Sequence, residues 1–138
     1  MFYEISSRRV VVDRKGFDKS LTEHFLVDGA EFFADAEQAG IELYNGENDI
    51  VAIKRSNLKE FVNKRRDDDE QIFIATIELI SNDGNGNESK TKFDVALFAY
   101  RVDNAMTIIL DYMKGIAEDH SLVGVKKSKF LDIIKYSK

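Results

Sequence analysis

Residues 50–62 have the sequence IVAIKRSNLKEFV, and residues 122–134 have the sequence LVGVKKSKFLDII, at a constant offset of 72 positions. Three pairs of positions are identical in the two stretches: Val51 and Val123, Lys54 and Lys126, and Ser56 and Ser128. Units that recur within one chain usually bury their apolar faces against each other, because one copy alone cannot cover its own. The sequence therefore predicts one small unit present twice.

Each copy is expected to contain two strands, a helix and a third strand. Strands are predicted where apolar side chains alternate with polar ones, as at Phe93, Val95 and Leu97, and helices where apolar residues recur every three or four positions. Turns fall at glycine-containing segments such as residues 82–87, NDGNGN. The predicted strands are residues 2–13, 21–27, 50–56, 71–81, 90–99 and 121–127, and the predicted helices are residues 30–44 and 103–117, the second capped by Asp103.

These elements predict an α+β fold in a single domain, residues 1–138. Two pseudo-symmetric ββαβ repeats would form one mainly antiparallel six-stranded sheet with both helices on one face. Repeat one would span about residues 2–62 and repeat two about residues 71–136. The segment between them, residues 63–70, contains the run KRRDDDE and is expected to be an exposed connector.

The composition excludes several functional classes. A chain of 138 residues without cysteine has no disulfide, no thiolate nucleophile and no cysteine-ligated zinc. Its net charge of −5 argues against a broadly cationic nucleic-acid coat. The first residues lack the apolar core of a signal peptide, and no apolar run is long enough to span a membrane, so a cytoplasmic protein without membrane contact is expected. No cofactor, metal site or catalytic residue is predicted, and the protein is expected not to be an enzyme.

Several stretches resemble an uncharacterised family of small proteins encoded in Bacteroidetes-type genomes and their phages, known only as a domain of unknown function. They are residues 21–23 (LTE), 25–28 (FLVD), 34–37 (ADAE), 52–57 (AIKRSN), 113–115 (MKG) and 131–136 (LDIIKY). The resemblance covers nearly the whole chain. It implies a compact cytoplasmic protein of phage or mobile-element origin, and it implies no catalytic residue.

The duplicated basic stretch is the main candidate site, and its residues are Lys54, Arg55, Ser56, Lys126, Lys127 and Ser128. Arginine forks and lysine charges suit phosphate groups, so a nucleotide or a nucleic acid is the first ligand class considered. Successive side chains of a strand point to opposite faces, however, and two neighbouring cations can line one pocket only at a bulge. The alternative is that these lysines protect sheet edges against aggregation.

A second hypothesis is that the protein binds another protein chain through an apolar face of the sheet. Residues 71–80 and 122–134 carry apolar side chains in both alternation sets, so the sheet face away from the helices would also need cover. A homodimer or higher oligomer would supply that cover. A host protein, bound or inhibited through this face or through the acidic connector, would do the same.

The remaining polar clusters have ordinary explanations. Residues 83–88 begin like a calcium loop, but the spacing then fails and a hairpin turn is favoured. The two histidines, His24 and His120, lack the helical spacing of a zinc site. Arg8 and Arg9 are expected to be exposed on an outer strand.

Overall fold

The computed structural model describes residues 1–137. Over these residues the chain forms eight strands and two helices. In chain order they are β1 (Phe2–Val12), β2 (Asp18–Asp28), α1 (Phe33–Glu42), β3 (Asp49–Arg55), β4 (Leu58–Phe61), β5 (Gln71–Asn82), β6 (Glu88–Ala99), α2 (Val102–Met113), β7 (Asp119–Lys127) and β8 (Phe130–Lys135).

The chain divides into two compact units. Unit 1 consists of residues 1–56 together with the segment that begins at Lys129, and unit 2 consists of Asn57–Ser128. The chain therefore leaves unit 1 after Ser56 and returns to it after Ser128. These two crossing points are identical serines in the repeated stretch.

Each unit contains one four-stranded sheet, with the order β3-β1-β2-β8 in unit 1 and β7-β5-β6-β4 in unit 2. The first three strands of each sheet are antiparallel, and the last one, β8 or β4, runs parallel to its neighbour. The two sheets thus have the same strand order. In each of them the last strand comes from the other copy of the repeat: β4 of the first copy joins the sheet of unit 2, and β8 of the second copy joins the sheet of unit 1. The repeat is thus built by reciprocal exchange of β4 and β8.

This arrangement confirms the α+β class and corrects the expected sheet. The prediction of one six-stranded sheet with both helices on one face is wrong, because there are two sheets of four strands. The prediction omitted β4 and β8, although both begin inside the repeated stretches. Both are short, and each pairs with a strand of the other copy, which local periodicity cannot reveal.

The registers of the two sheets agree residue by residue. Tyr3 pairs with Val27 in unit 1, and Phe73 pairs with Leu97 in unit 2, at an offset of 70 in both strands. The hairpin loops agree as well: Asp13 accepts backbone N–H groups of Lys15 and Phe17 at 2.9 and 3.0 Å. Asp83 does the same for Asn85 and Asn87, at 2.8 and 3.2 Å.

The second loop is therefore a hairpin turn, as the sequence predicts. Each loop also contains a glycine with positive φ, Gly16 or Gly86. A residue with a side chain rarely adopts that conformation, which explains why both copies have glycine there.

Each helix packs on its own sheet. In unit 1 the core contains Tyr3, Ile5, Phe25, Val27, Ala36 and Ala39. In unit 2 it contains Phe73, Ala75, Ile77, Val95, Leu97, Ala105, Ile109 and Met113. Both helices are shorter than predicted, and α2 begins with Arg101 at its N-cap, so Asp103 lies in the first turn and does not cap the helix.

Helix α1 approaches its sheet closely because the contact residue is a glycine. A Cβ atom on Gly40 would lie 2.6 Å from Cδ1 of Ile5 and 2.7 Å from Cδ1 of Ile50. The N-terminal end of α1 is held by Asp35, whose Oδ2 accepts the backbone N–H groups of Glu31 and Phe32 at 3.3 and 3.2 Å. The close approach at Gly40 places α1 over β1 and β3, through Ile5 and Ile50.

The face of each sheet away from its helix is also buried near its centre. Leu26, Ile72, Ala96 and Phe98 lie on that face and are at most 4% exposed. In unit 2 the ring of Phe61 stacks on that of Phe98 with centroids 5.2 Å apart. The homo-oligomer expected from the sequence stays a prediction.

Candidate functional site

The predicted basic site falls on the edge strands β3 and β7. In unit 1, Lys54 pairs with Glu4 of β1 and Arg55 pairs with Tyr3. Tyr3 belongs to the core beneath α1, so the side chain of Arg55 projects on the helix side of the sheet and that of Lys54 on the other side. These two cations therefore cannot contact the same ligand group on one face.

Unit 2 repeats this arrangement. Lys126 pairs with Ile74, and Lys127 pairs with Phe73, a core residue beneath α2. All four cations are exposed. Within residues 1–137 none of the four forms an ion pair, although Arg9, Arg66, Arg101, Lys114 and Lys129 do. Glu4, the cross-strand neighbour of Lys54, instead forms an ion pair with Lys129 at 4.0 Å.

The identical valines of the repeat mark a β-bulge in each edge strand. The pairing shifts between Ser6 and Ser7 opposite Val51, and between Thr76 and Ile77 opposite Val123. Both valines are exposed, at 44% and 52%. A bulge twists an edge strand and makes it a poor template for another strand. The bulges precede the cations and do not bring them to one face.

The two serines of the candidate site have a structural role. The backbone N–H of Ser56 donates to the carbonyl oxygen of Phe2 at 2.9 Å, and that of Ser128 donates to the carbonyl oxygen of Ile72 at 2.9 Å. The hydroxyl of Ser128 adds a second hydrogen bond to the same oxygen at 2.8 Å. Each serine thus extends the edge pairing to the point where the chain crosses to the other unit.

On the face of the unit 1 sheet that carries α1 there is a polar cluster that the sequence did not indicate. Arg9 Nε donates to Glu23 Oε1 at 2.8 Å, and the hydroxyl of Tyr44 donates to the same oxygen at 2.8 Å. The guanidinium of Arg9 also lies 4.5 Å from the centre of the Tyr44 ring. Burial opposes ionisation of Glu23, but these two hydrogen bonds hold its pKa below the ordinary range. Arg9 therefore has a partner within the protein.

A serine and a histidine lie side by side on the opposite face. Ser6 Oγ is 2.9 Å from Nδ1 of His24, its cross-strand neighbour. At the same register in unit 2, Thr76 Oγ1 donates to Asp94 at 2.6 Å. A polar cross-strand pair thus recurs with different chemistry in the two copies, which favours a structural role for both. The other histidine, His120, bonds the backbone oxygen of Glu118 at 2.8 Å through Nδ1.

The charged connector is not wholly exposed. Glu70 is 1% exposed, and its carboxylate binds Arg66 through the side-chain Nε and Nη2 atoms, at 3.1 and 2.7 Å, and through the backbone N–H. These contacts with Arg66 hold the pKa of Glu70 below its ordinary value, although burial opposes them. Within residues 1–137 no group of three or more His, Cys, Asp or Glu side chains could hold a metal ion.

An open concave surface lies in unit 2, between α2 and the end of β4. We call it the α2 groove; its volume is about 870 Å³, and it is lined by Val62, Asn63, Thr107, Ile108, Leu110, Asp111, Tyr112 and Lys114. Val62 and Ile108 pack against the core, whereas Leu110 is 49% exposed. The groove therefore has an apolar floor and a partly polar rim.

Tyr112 separates the α2 groove from a second one. The second groove has a volume of about 560 Å³ and is lined on its other sides by residues that include Lys59, Phe93 and Ile116. The hydroxyl of Tyr112 donates to Glu60 Oε1. Burial, together with this hydrogen bond, raises the pKa of Tyr112 to about 12. Tyr112 is thus held in place between the two grooves.

Unit 1 has a smaller groove in the corresponding place, between α1 and β8. We call it the α1 groove; its volume is about 210 Å³, and it is lined by Ala39, Glu42, Leu43, Ile134, Lys135, Tyr136 and Ser137. Sequence reasoning found neither groove. Both depend on where β4 and β8 pair, and that pairing was not predicted.

The two units together define a small α+β protein built from two copies of one strand-exchanged fold, with edge-strand cations and an open groove in the second copy. The chain belongs to the family described as Domain of unknown function (DUF4494), whose model matches residues 1–136. No curated protein and no solved structure matches it. Among residues 1–137, no helix is both long enough and apolar enough to cross a membrane.

Proposed function

We propose that this chain is a non-catalytic binding protein whose partner is another protein, bound at the α2 groove. The observation that carries the proposal is the open shape of this groove, with the partly buried Val62 and Ile108 on its floor and the exposed Leu110 on its rim. Concave, mainly apolar surfaces with a few polar groups are the usual places for ligands. This is the protein-interaction hypothesis of the sequence, moved from a sheet face to a groove.

The test compares two leucine variants in cells that produce the protein. Leu110→Glu places a charge on the groove rim, and Leu131→Glu is its matched control, because Leu131 is 53% exposed and lies on β8. We expect quantitative mass spectrometry to find a protein retained by the wild type and by Leu131→Glu but lost with Leu110→Glu. An identical set of retained proteins for all three would contradict the proposal.

A second candidate function is binding of a nucleotide or nucleic acid through Lys54, Arg55, Lys126 and Lys127. It is favoured by the exposure of these four cations and by the lack of ion pairs to them within residues 1–137. Phosphate contacts of this kind weaken steeply with salt. We expect the Lys54→Ala/Lys126→Ala double variant to lose affinity for oligonucleotides at low salt. No affinity of the wild type at low salt would end this hypothesis.

Three further expectations stay predictions. A homodimer or higher oligomer is one, and native mass spectrometry of the purified chain would test it. A cytoplasmic location and a phage or mobile-element origin are the others, and they rest on the composition and on the family resemblance. A host protein as partner is a special case of the proposed function.

A further inference from the structure

The α1 and α2 grooves occupy corresponding places in the two copies. The helices align at an offset of 69, as their N-caps Phe32 and Arg101 show, and the exchanged strands align at an offset of 72. At these offsets five lining positions correspond: Ala39 with Ile108, Glu42 with Asp111, Leu43 with Tyr112, Ile134 with Val62, and Lys135 with Asn63. The two grooves are thus copies of one surface, and a difference between them is informative.

The main difference is an aromatic side chain. In unit 1, Tyr136 lines the α1 groove and packs against the core, and burial with the nearby carboxylate of Asp35 raises the pKa of its hydroxyl. The corresponding residue of unit 2 is Lys64, which is exposed. The α1 groove measures about 210 Å³ and the α2 groove about 870 Å³. Unit 1 therefore places a ring after β8 where unit 2 has none after β4, and the ring that lines the α2 groove, Tyr112, comes from the helix.

The backbone explains why the segment after β4 supplies no ring to the α2 groove. In unit 1 the chain continues along β2 after β8, and the N–H of Tyr136 donates to the carbonyl oxygen of Asp28 at 2.8 Å. In unit 2 the corresponding acceptor is the carbonyl oxygen of Phe98, and it binds the side-chain Nδ2 of Asn63 at 2.9 Å. Because a side chain satisfies this oxygen, the backbone is free to leave the sheet at Asn63. The hydrogen bond from the Asn63 side chain therefore allows the chain to turn away from the sheet and leave the groove open.

We propose that the α2 groove binds an aromatic side chain, carried by an extended segment of the partner protein, at the place that Tyr136 occupies against the core of unit 1. This inference rests on the proposed function and names the chemistry of the partner. The apolar floor of Val62 and Ile108 receives the ring. The polar rim of Asn63, Thr107 and Asp111 faces the hydroxyl or the backbone beside it. Aromatic residues bury large areas and carry a large share of the affinity at such anchor points.

The probe is a heptapeptide with the sequence DIIKYSK, which the chain itself has at residues 132–138. Its control carries alanine in place of the tyrosine. In a titration of the isotope-labelled full chain by NMR, we expect the tyrosine peptide to shift the amide signals of Asn63, Ile108 and Tyr112. The alanine peptide should bind at least about tenfold more weakly, since tenfold corresponds to only ~1.4 kcal/mol. Equal affinity of the two peptides would overturn the inference.

Two tryptophan variants locate the binding site. Thr107→Trp adds a large ring from the helix side of the α2 groove, and Thr107 is exposed, with its hydroxyl bonded at 3.2 Å to Asp103 of its own helix. Gln38→Trp is the matched control, since Gln38 is exposed at the corresponding position of α1. Thermal denaturation verifies that both variants fold. We expect Thr107→Trp to lose at least about tenfold in peptide affinity and Gln38→Trp to bind as the wild type does. Unchanged affinity of a folded Thr107→Trp would overturn the inference.

The inference and the proposed function fail in different ways. If neither peptide binds but Leu110→Glu still loses a partner protein, the aromatic chemistry is wrong and the protein-binding function stands. If the tyrosine peptide binds in the α2 groove but no protein is lost with Leu110→Glu, the groove chemistry stands and the proposed function is wrong.

Discussion

The side chain of Asn63 takes the place of a neighbouring strand beside Phe98. Its Nδ2 donates to the backbone oxygen of Phe98 at 2.9 Å, and its Oδ1 accepts the backbone N–H at 2.7 Å. Alanine at this position would remove both hydrogen bonds, so we expect Asn63→Ala to lower the free energy of unfolding by about 1–3 kcal/mol. Urea denaturation measures this change.

The control is Lys135→Ala at the corresponding position of β8, an exposed residue, and it should change stability by less than about 0.5 kcal/mol. Equal effects of the two variants would contradict this role for Asn63.

The sequence predicted the elements of each unit better than their partners. Alternating apolar residues identified both hairpins, and helical spacing identified α1 and α2. The strand exchange was missed because β4 has only four residues and β8 six, and each pairs with a strand distant in sequence. One signal for it was present: the repeated stretch continues past the third strand to residues 62 and 134. The similarity between the two copies beyond the third strand indicated that each copy has one more element there.

Strand periodicity predicted how the candidate cations are arranged, whereas their binding of a ligand stays a prediction. Strand periodicity correctly indicated that Lys54 and Arg55 point to opposite faces, because no bulge separates them. The α2 groove could not be predicted, since it arises from a difference between two copies, Tyr136 in one and Lys64 in the other. Neither residue is unusual by itself. The burial of Glu70 was missed for a similar reason, because an acidic run gives no sign that one of its members turns inward.

The buried carboxylate of Glu70 predicts a loss of stability in acid. Its pKa is lowered in the folded protein by Arg66, so its contribution is fully present above its ordinary value of 4.5 and is lost as the pH falls through the lowered pKa. We expect Glu70→Gln to destabilise the protein at pH 7 by about 1–3 kcal/mol, and by less at pH 3. Denaturation at both values measures this. Asp68→Asn, at an exposed position of the same loop, is the control. A destabilisation by Glu70→Gln that is the same at both values would contradict the assignment.

The edge cations predict resistance to aggregation, whether or not they bind phosphate. Lys54 and Lys126 lie on the edge strands β3 and β7, and lysines at such edges prevent pairing between molecules. We expect the Lys54→Val/Lys126→Val double variant to aggregate at a lower protein concentration than the wild type, as measured by light scattering. Arg8→Val is the control, because Arg8 is exposed on β1 and is paired on both sides there, with Thr22 of β2 and Asp49 of β3. If the control aggregates as readily as the double variant, added apolar surface alone explains the effect and the edge role is wrong.

Removing Tyr136 should make unit 1 resemble unit 2. Tyr136 lines the α1 groove and packs against the core, so Tyr136→Ala should lower the free energy of unfolding by about 1–3 kcal/mol, less than for a fully buried aromatic residue. The opened groove should then accept the tyrosine peptide, so isothermal titration should find two peptides per chain in place of one. The Gln38→Trp/Tyr136→Ala double variant, with the α1 groove filled again from the helix, should return to one. Destabilisation without a second binding event would show that the shape of the groove alone does not recognise the aromatic ring.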